Sequence, residues 1–319
     1  MVSRVALAAL LLVSATAMGS PAPARAADMP KLALGISGWT GFSPLVLAEK
    51  EGLFKKHGAD VEIKFIGQKD RLAAFAAGAV QGVATTVDTQ VVWAGSVPLS
   101  QVLVLDRSKG ADGLVVKPDI ANFQGLKGKS MAVDGPGTTP YFFLAYAPIA
   151  NKVSLKDLKL STLDPQAAAQ AFVAGQFDAA STYEPYISQV RAKPETGKVL
   201  ASTTDYPIIC DTLAFQTDYI KKNRAAVAAV VAGWFDALAL IKAEPDKSYA
   251  IMGASVKQSA AEFKDSAQYI EWIDHKANQD LMGGFLQDLA HTATQIQLQA
   301  GVIRKAPSES GLVDASFVK

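Results

Sequence analysis

The sequence predicts an α/β protein of two lobes, each a mainly parallel sheet flanked by helices, with a cleft between the lobes. Three observations carry this reading. The stretch that opens Ala74-Phe75-Ala76-Ala77-Gly78 and runs on to Val83 recurs 97 positions later as Ala171-Phe172-Val173-Ala174-Gly175, running on to Ala180. Each copy reads as a helix end, a glycine C-cap and a short buried strand. Short apolar runs of strand length alternate with helical stretches along the chain, which marks parallel α/β organisation. Two strand-like segments, Leu114-Val115-Val116 and Leu213-Ala214-Phe215, join the halves without any Gly/Ser or Pro-rich linker. Paired crossings of this kind make a hinge.

The first 26 residues read as an export signal. Arg4 precedes an apolar run over 5–18, and Ala24 and Ala26 fit the small-residue cleavage pattern, so processing is expected near Ala26 and Ala27. That places the mature protein in the periplasm. Lobe I is expected over 27–115 plus 213–319 and lobe II over 116–212, with hinge crossings near 113–117 and 211–216. The chain carries 31 Lys and Arg against 30 Asp and Glu, for a net charge of +1. Losing Arg4 and Arg25 takes that to −1. No basic run and no interleaved basic and aromatic stripe is present, so nucleic acid is not expected as a partner. Cys210 is the only cysteine. No disulfide can form within the chain, and its apolar setting, Pro207-Ile208-Ile209-Cys210, reads as a buried small hydrophobe.

Strands are expected over 31–36, 61–66, 80–84 and 98–106 in the first lobe, then over 131–133, 158–163 and 199–202 in the second. Ser43 with Pro44 behind it reads as an N-cap and first helical residue. Helices are expected over 69–77, 141–150 and 165–174. Beyond the return crossing come a long helix over 223–243, with Val227, Val230, Val231, Trp234, Leu238 and Ile241 on one face, and helices over 246–254 and 279–300.

The chemistry-bearing residues gather after strands, where open α/β sheets bind ligands. The two repeat copies run into Thr85-Thr86-Val87-Asp88 and Ser181-Thr182-Tyr183-Glu184. Gly135-Pro136-Gly137-Thr138-Thr139-Pro140 lies between a strand and a helix. It is either a receptor for an anionic oxygen group or an ordinary glycine turn with an N-cap. Trp39, followed closely by Gly41 on the first strand's exit loop, either stacks on a planar or cationic ligand or packs on the surface. Asp88, Asp106, Asp112, Glu184 and Asp211 each follow an apolar strand or fall at an expected hinge. Collected on the cleft rim, they suit a ligand with an amino or guanidino group. The three histidines lack metal-ligand spacing, no nucleophile elbow or dinucleotide fingerprint is present, and no cofactor is expected. The chain reads as built to hold a small molecule, not to transform it.

The pattern Pro44…Leu47-Ala48-Glu49…Gly52-Leu53-Phe54…Gly58…Val61 resembles the opening of solute-binding proteins of nitrate, sulfonate and taurine ABC importers. The resemblance continues through Leu126-Lys127-Gly128-Lys129, Gly137-Thr138-Thr139-Pro140-Tyr141 and Tyr183-Glu184-Pro185. It implies a type II periplasmic binding fold and a monomer that captures a solute by hinge closure. Delivery would be to an inner-membrane permease with its ATPase. It also implies an anion-binding set at Asp88, Thr89, Gly137, Thr138 and Thr139, and an amine-binding pair at Asp112 and Asp211. This chain departs from taurine receptors at Trp39, Asp106 and Tyr183, which leaves room for a larger or more cationic solute. Thiamine-pyrimidine synthases resemble the same pattern, but they work in the cytosol and carry a cysteine-rich motif that this chain lacks. A ligand-sensing receptor of the same fold is a further alternative.

Overall fold

The computed structural model describes residues 29–319, so the expected export segment and its cleavage point lie outside the described residues. In chain order the first half holds β1 (Lys31–Ile36), α1 (Ser43–Lys50), α2 (Leu53–Lys56), β2 (Asp60–Phe65), α3 (Gln68–Ala76), β3 (Gly82–Thr86), α4 (Val87–Ala94) and β4 (Leu99–Ser108). The second half follows with β5 (Asp112–Val116), β6 (Ser130–Val133), α5 (Thr139–Ala150), β7 (Lys159–Thr162), α6 (Pro165–Val173), β8 (Ala179–Tyr183), α7 (Tyr186–Arg191) and β9 (Lys198–Ser202). The chain then returns through β10 (Cys210–Gln216), α8 (Thr217–Lys222), α9 (Arg224–Ala243), α10 (Pro245–Ser255), α11 (Ala260–Ala267), β11 (Ile270–Trp272), α12 (His275–Asp280) and α13 (Leu286–Gln299).

The strands form two sheets, ordered β2-β1-β3-β10-β4-β11 and β7-β6-β8-β5-β9. Read from these ends the sheets correspond strand for strand through their first five positions. β1 pairs in parallel with β2 and β3, as β6 does with β7 and β8. One antiparallel strand is then inserted in each, β10 between β3 and β4 and β5 between β8 and β9. The repeated sequence accounts for the correspondence. α3 and α6 end in Gly78 and Gly175, whose φ values of 72° and 76° lie in the left-handed region that closes a helix C-terminus. Each glycine leads into a strand at the centre of its sheet, buried at every position of β3 and at all but the last of β8.

The two segments expected to cross between lobes are instead these inserted strands. Leu114–Val116 belongs to β5, wholly in the second sheet, and Leu213–Phe215 belongs to β10, wholly in the first. The chain passes between sheets over 109–111 and 203–209, so the sheet boundaries fall a few residues earlier than expected. An apolar run signals burial, and burial within a sheet reads the same in sequence as burial at a crossing. The true crossings are tied together by polar groups near Gly110 and Thr203. The Gly110 N–H donates to Thr203 Oγ1 at 2.7 Å, the Thr203 and Ser108 hydroxyls meet at 2.6 Å, and Arg191 donates to the Gly110 carbonyl at 2.8 Å.

Two other expectations change. A short 3-10 turn over Thr40–Phe42 precedes α1, so Ser43 is the first helical residue and not its cap. The helix expected over 279–300 is broken at Leu281–Phe285, where Gly284 has φ 163° and ψ −44°. α4 begins directly after β3, which puts Asp88 and Thr89 in a helix's first turn. The apolar face expected on α9 is buried as a set, Val227, Val230, Val231, Trp234, Leu238 and Ile241 all lying in the core. By length and composition α9 could cross a membrane, but that face is spent on packing.

Candidate functional site

The sheets turn the ends of β3, β4 and β10 toward the start of β5 and the exit of β8, and this junction gathers the chemistry. Asp106 and Asp211 are direct cross-strand partners on β4 and β10, and Asp211 is also paired with Thr86 on β3. Asp88 follows two residues after Thr86. Asp112 opens β5 opposite Tyr183 on β8. Trp39, on the loop after β1, donates its indole N–H to both Asp106 oxygens at 3.2 and 3.3 Å and meets the Tyr183 ring edge to face at 5.6 Å. Gly41 must be glycine here, since a Cβ would sit 2.2 Å from Trp39 Nε1 and 2.4 Å from an Asp106 oxygen. Trp272 Nε1 donates to the Gly41 carbonyl at 3.0 Å, pinning the loop from β11.

Burial overturns the expectation of a rim. Asp88, Asp106, Asp112 and Asp211 are each at most 2% exposed, and Trp39 is 4% exposed, neither a surface packer nor an open stacking platform. The repeat and strand pattern place each residue after a strand, but only the apposition of the sheets covers them. Withdrawal from water disfavours the charged form of every one of these acids. Asp88 and Asp106 are pushed up to about 7 and Asp112 to about 8, chiefly by desolvation. Asp211 is raised well above the usual carboxylate range, by desolvation first and then by the charges of Asp106 and Asp112. Asp106 and Asp211 face each other across the β4–β10 pair and each bears on the other's ionisation, so the two titrate as a unit.

These acids are also short of partners. Asp88 Oδ1, Asp112 Oδ2 and Asp211 Oδ2 are buried and accept no hydrogen bond. Buried acceptors of this kind are costly unless a donor meets them. The arrangement can therefore take N–H donors from a positively charged group, and three separate acceptor oxygens are available to do it.

The remaining expected residues divide. Glu184 is buried, but Arg191 forms an ion pair with one oxygen and the Ser188 N–H donates to the other at 3.2 Å. It braces the crossing and is not among the open acceptors. Thr138 donates its hydroxyl back to the Gly135 carbonyl at 2.8 Å, which is the ordinary-turn alternative for that side chain. Thr139 meets Thr86 hydroxyl to hydroxyl at 2.9 Å, and Thr89 reaches the Gly137 carbonyl at 3.5 Å. These contacts join the first sheet's edge to the α5 N-terminus across the cleft. Cys210 is buried and free, as expected of a small hydrophobe.

Sequence reading missed Arg71. It lies on α3 with no exposed surface and donates to the carbonyls of Ile66 and Ala84 at 3.2 and 2.5 Å, while Nη2 has no partner. A basic residue among Gln68-Lys69-Asp70-Arg71 reads as a solvated helix face, and nothing in the one-dimensional pattern distinguishes it from Lys69.

The two-sheet fold is the one seen in periplasmic binding proteins. The aliphatic sulphonate binding protein SsuA of Escherichia coli superposes with a TM-score of 0.72 at 20% identity, over 89% of this chain and 97% of that one. The chain belongs to the NMT1-like family, whose model matches residues 25–253. Among relatives, a protein of Brucella abortus (strain 2308) is 23% identical over 252 residues, 78% of each chain. The taurine-binding periplasmic protein of Escherichia coli (strain K12) is 28% identical over 215 residues, covering 65% of this chain and 66% of that protein.

Proposed function

We propose that this protein is the extracytoplasmic solute-binding component of an ABC importer, and that its solute carries a positively charged nitrogen group. The observation behind the second half is the set of three buried, unpartnered carboxyl oxygens on Asp88, Asp112 and Asp211, acids close enough to act on one another's ionisation. In their ionised form these acids would repel a sulfonate or nitrate in a medium of low dielectric, where each charge acts over longer range than in water. An amine or guanidinium reverses that sign and supplies the missing donors. The periplasmic setting of the taurine-binding relative supports export and delivery to an inner-membrane permease, and action as a monomer belongs to the same proposal. Hinge closure follows from contacts a solute makes with both lobes at once, since only those favour the closed state.

A thermal-shift and titration-calorimetry series over amines, guanidines, aminopyrimidines, taurine, alkanesulfonates and nitrate tests this reading. Stabilisation by nitrogen cations is expected, about 2.7 kcal/mol at a hundred times Kd. Asp112→Asn should weaken such a solute by about 1.5–3 kcal/mol, the scale of a charge-assisted hydrogen bond. Binding confined to nitrate or simple sulfonates would overturn the cationic class, and binding of nothing in the series would count against a solute receptor.

A further inference from the structure

Arg71 is a buried, permanently charged group without a carboxylate partner, and this is unusual enough to require a reason. Its guanidinium spends two donors on main-chain carbonyls, of Ile66 and of Ala84 at the covered end of β3. Ala84 is two residues from Thr86, and Thr86 is the register partner of Asp211. The titratable groups that bear on Arg71 come from three elements around the site. They are Tyr183 at the end of β8, Asp211 on β10 and Asp134 on the loop after β6. None of them bonds it. Nη2 is left buried with no acceptor, while Asp134 turns an oxygen to its neighbour's Gly135 N–H at 2.7 Å.

The cleft therefore presents two kinds of unmet hydrogen bonding, acceptors on Asp88, Asp112 and Asp211 and a charged donor on Arg71. Resting on the cationic reading above, the geometry points to Arg71 as a specificity-determining residue that binds an oxygen acceptor on the same solute. The solute class is then a small molecule with a nitrogen cation at one end and a carboxylate or carbonyl oxygen at the other. The aspartates hold the cation and Arg71 reads the far end. A simple amine or guanidine satisfies only half of this arrangement, and a dication places its second charge against the guanidinium.

Matched probes test it on the unmodified protein by calorimetry: 4-guanidinobutanoate against butylguanidine, and 4-aminobutanoate against butylamine. The acid of whichever pair binds should bind at least about 10-fold more tightly than its partner lacking the carboxylate. Arg71→Gln should bring that ratio down to about one. Asp134→Asn should leave the ratio intact. Equal affinities within the binding pair would overturn the role of Arg71 while sparing the cationic site. A ratio lost equally in Asp134→Asn would overturn it too, by making the pair a closure contact. Failure of all four probes together with the wider nitrogen-cation series would overturn the cationic reading itself. The wild-type ratio stands without any variant, so misfolding of Arg71→Gln does not remove the test.

Discussion

Asp211 sits between Asp106 on one neighbouring strand and Thr86 on the other, and its Oδ2 has no donor. Such a residue is costly to the ligand-free protein and useful only once a cation arrives. Asp211→Asn should therefore separate stability from binding. The amide keeps the shape but cannot ionise, so Tm should rise at pH 8, where the acids are under pressure to charge, and change little at pH 5. Affinity for the cationic solute should fall by about 1.5–3 kcal/mol. A variant that loses stability at pH 8 would show that the carboxylate is a structural partner and not a ligand for the solute. Part of this site was legible residue by residue. The acids were found because each follows an apolar strand, and Trp39 and Gly41 because they flank a loop. Glu184 was found by the same logic, yet Arg191, seven residues further on at the end of α7, takes it out of the set. Proximity to Arg191 is a tertiary fact, invisible in strand position.

At the scale of elements, the twin helix ends make a matched pair of experiments. Gly78 and Gly175 have positive φ, and a Cβ at either would meet nothing within 4 Å. The cost of Gly78→Ala or Gly175→Ala is then conformational and not steric, about 1–2 kcal/mol each. Urea denaturation should give similar losses for the two, and nearly neutral substitutions would show that the helix ends relax. The same elements explain why the repeat was readable. A glycine forced by left-handed backbone and a strand buried on both faces leave strong marks in sequence. The crossings left none, because Ser108, Gly110 and Thr203 are ordinary polar and small residues whose role depends on meeting across the chain.

For the whole molecule the buried acids couple binding, closure and pH. In the ligand-free protein Asp88, Asp106 and Asp112 keep their protons up to about 7 or 8, against an unfolded value of 3.8. Between those limits the folded state binds more protons than the unfolded chain, so stability is full below about pH 4 and declines as pH rises through 7 to 8. A cationic solute needs the carboxylates ionised, so its affinity should rise from pH 6 to pH 8.5. On the order of one to two protons should leave per solute bound at pH 7. Calorimetry in buffers of different ionisation enthalpy measures that release directly. Zero release with affinity flat across that range would show that the acids are already charged in the free protein, and affinity that falls as pH rises would overturn the cationic reading. Small-angle scattering across the same pH range would report opening of the lobes, with the solute restoring the compact form at high pH.

Read alone, the sequence determined the α/β class, the two halves, the twin helix-to-strand motifs and the position of acids after strands, because each is written in short-range periodicity and turn chemistry. Family likeness was legible for the same reason, through ordered local motifs spread along the chain. Only the tertiary structure decided that the acids lie together and dry, that Glu184 is already paired, that Thr139 bridges to Thr86, and that Arg71 belongs with them. Apart from the Glu184–Arg191 pair, only seven residues apart, those are statements about distance and water exclusion between segments far apart in the chain. A carboxylate on a solvated rim and one sealed between two sheets have the same neighbours in sequence, and only packing separates their chemistry.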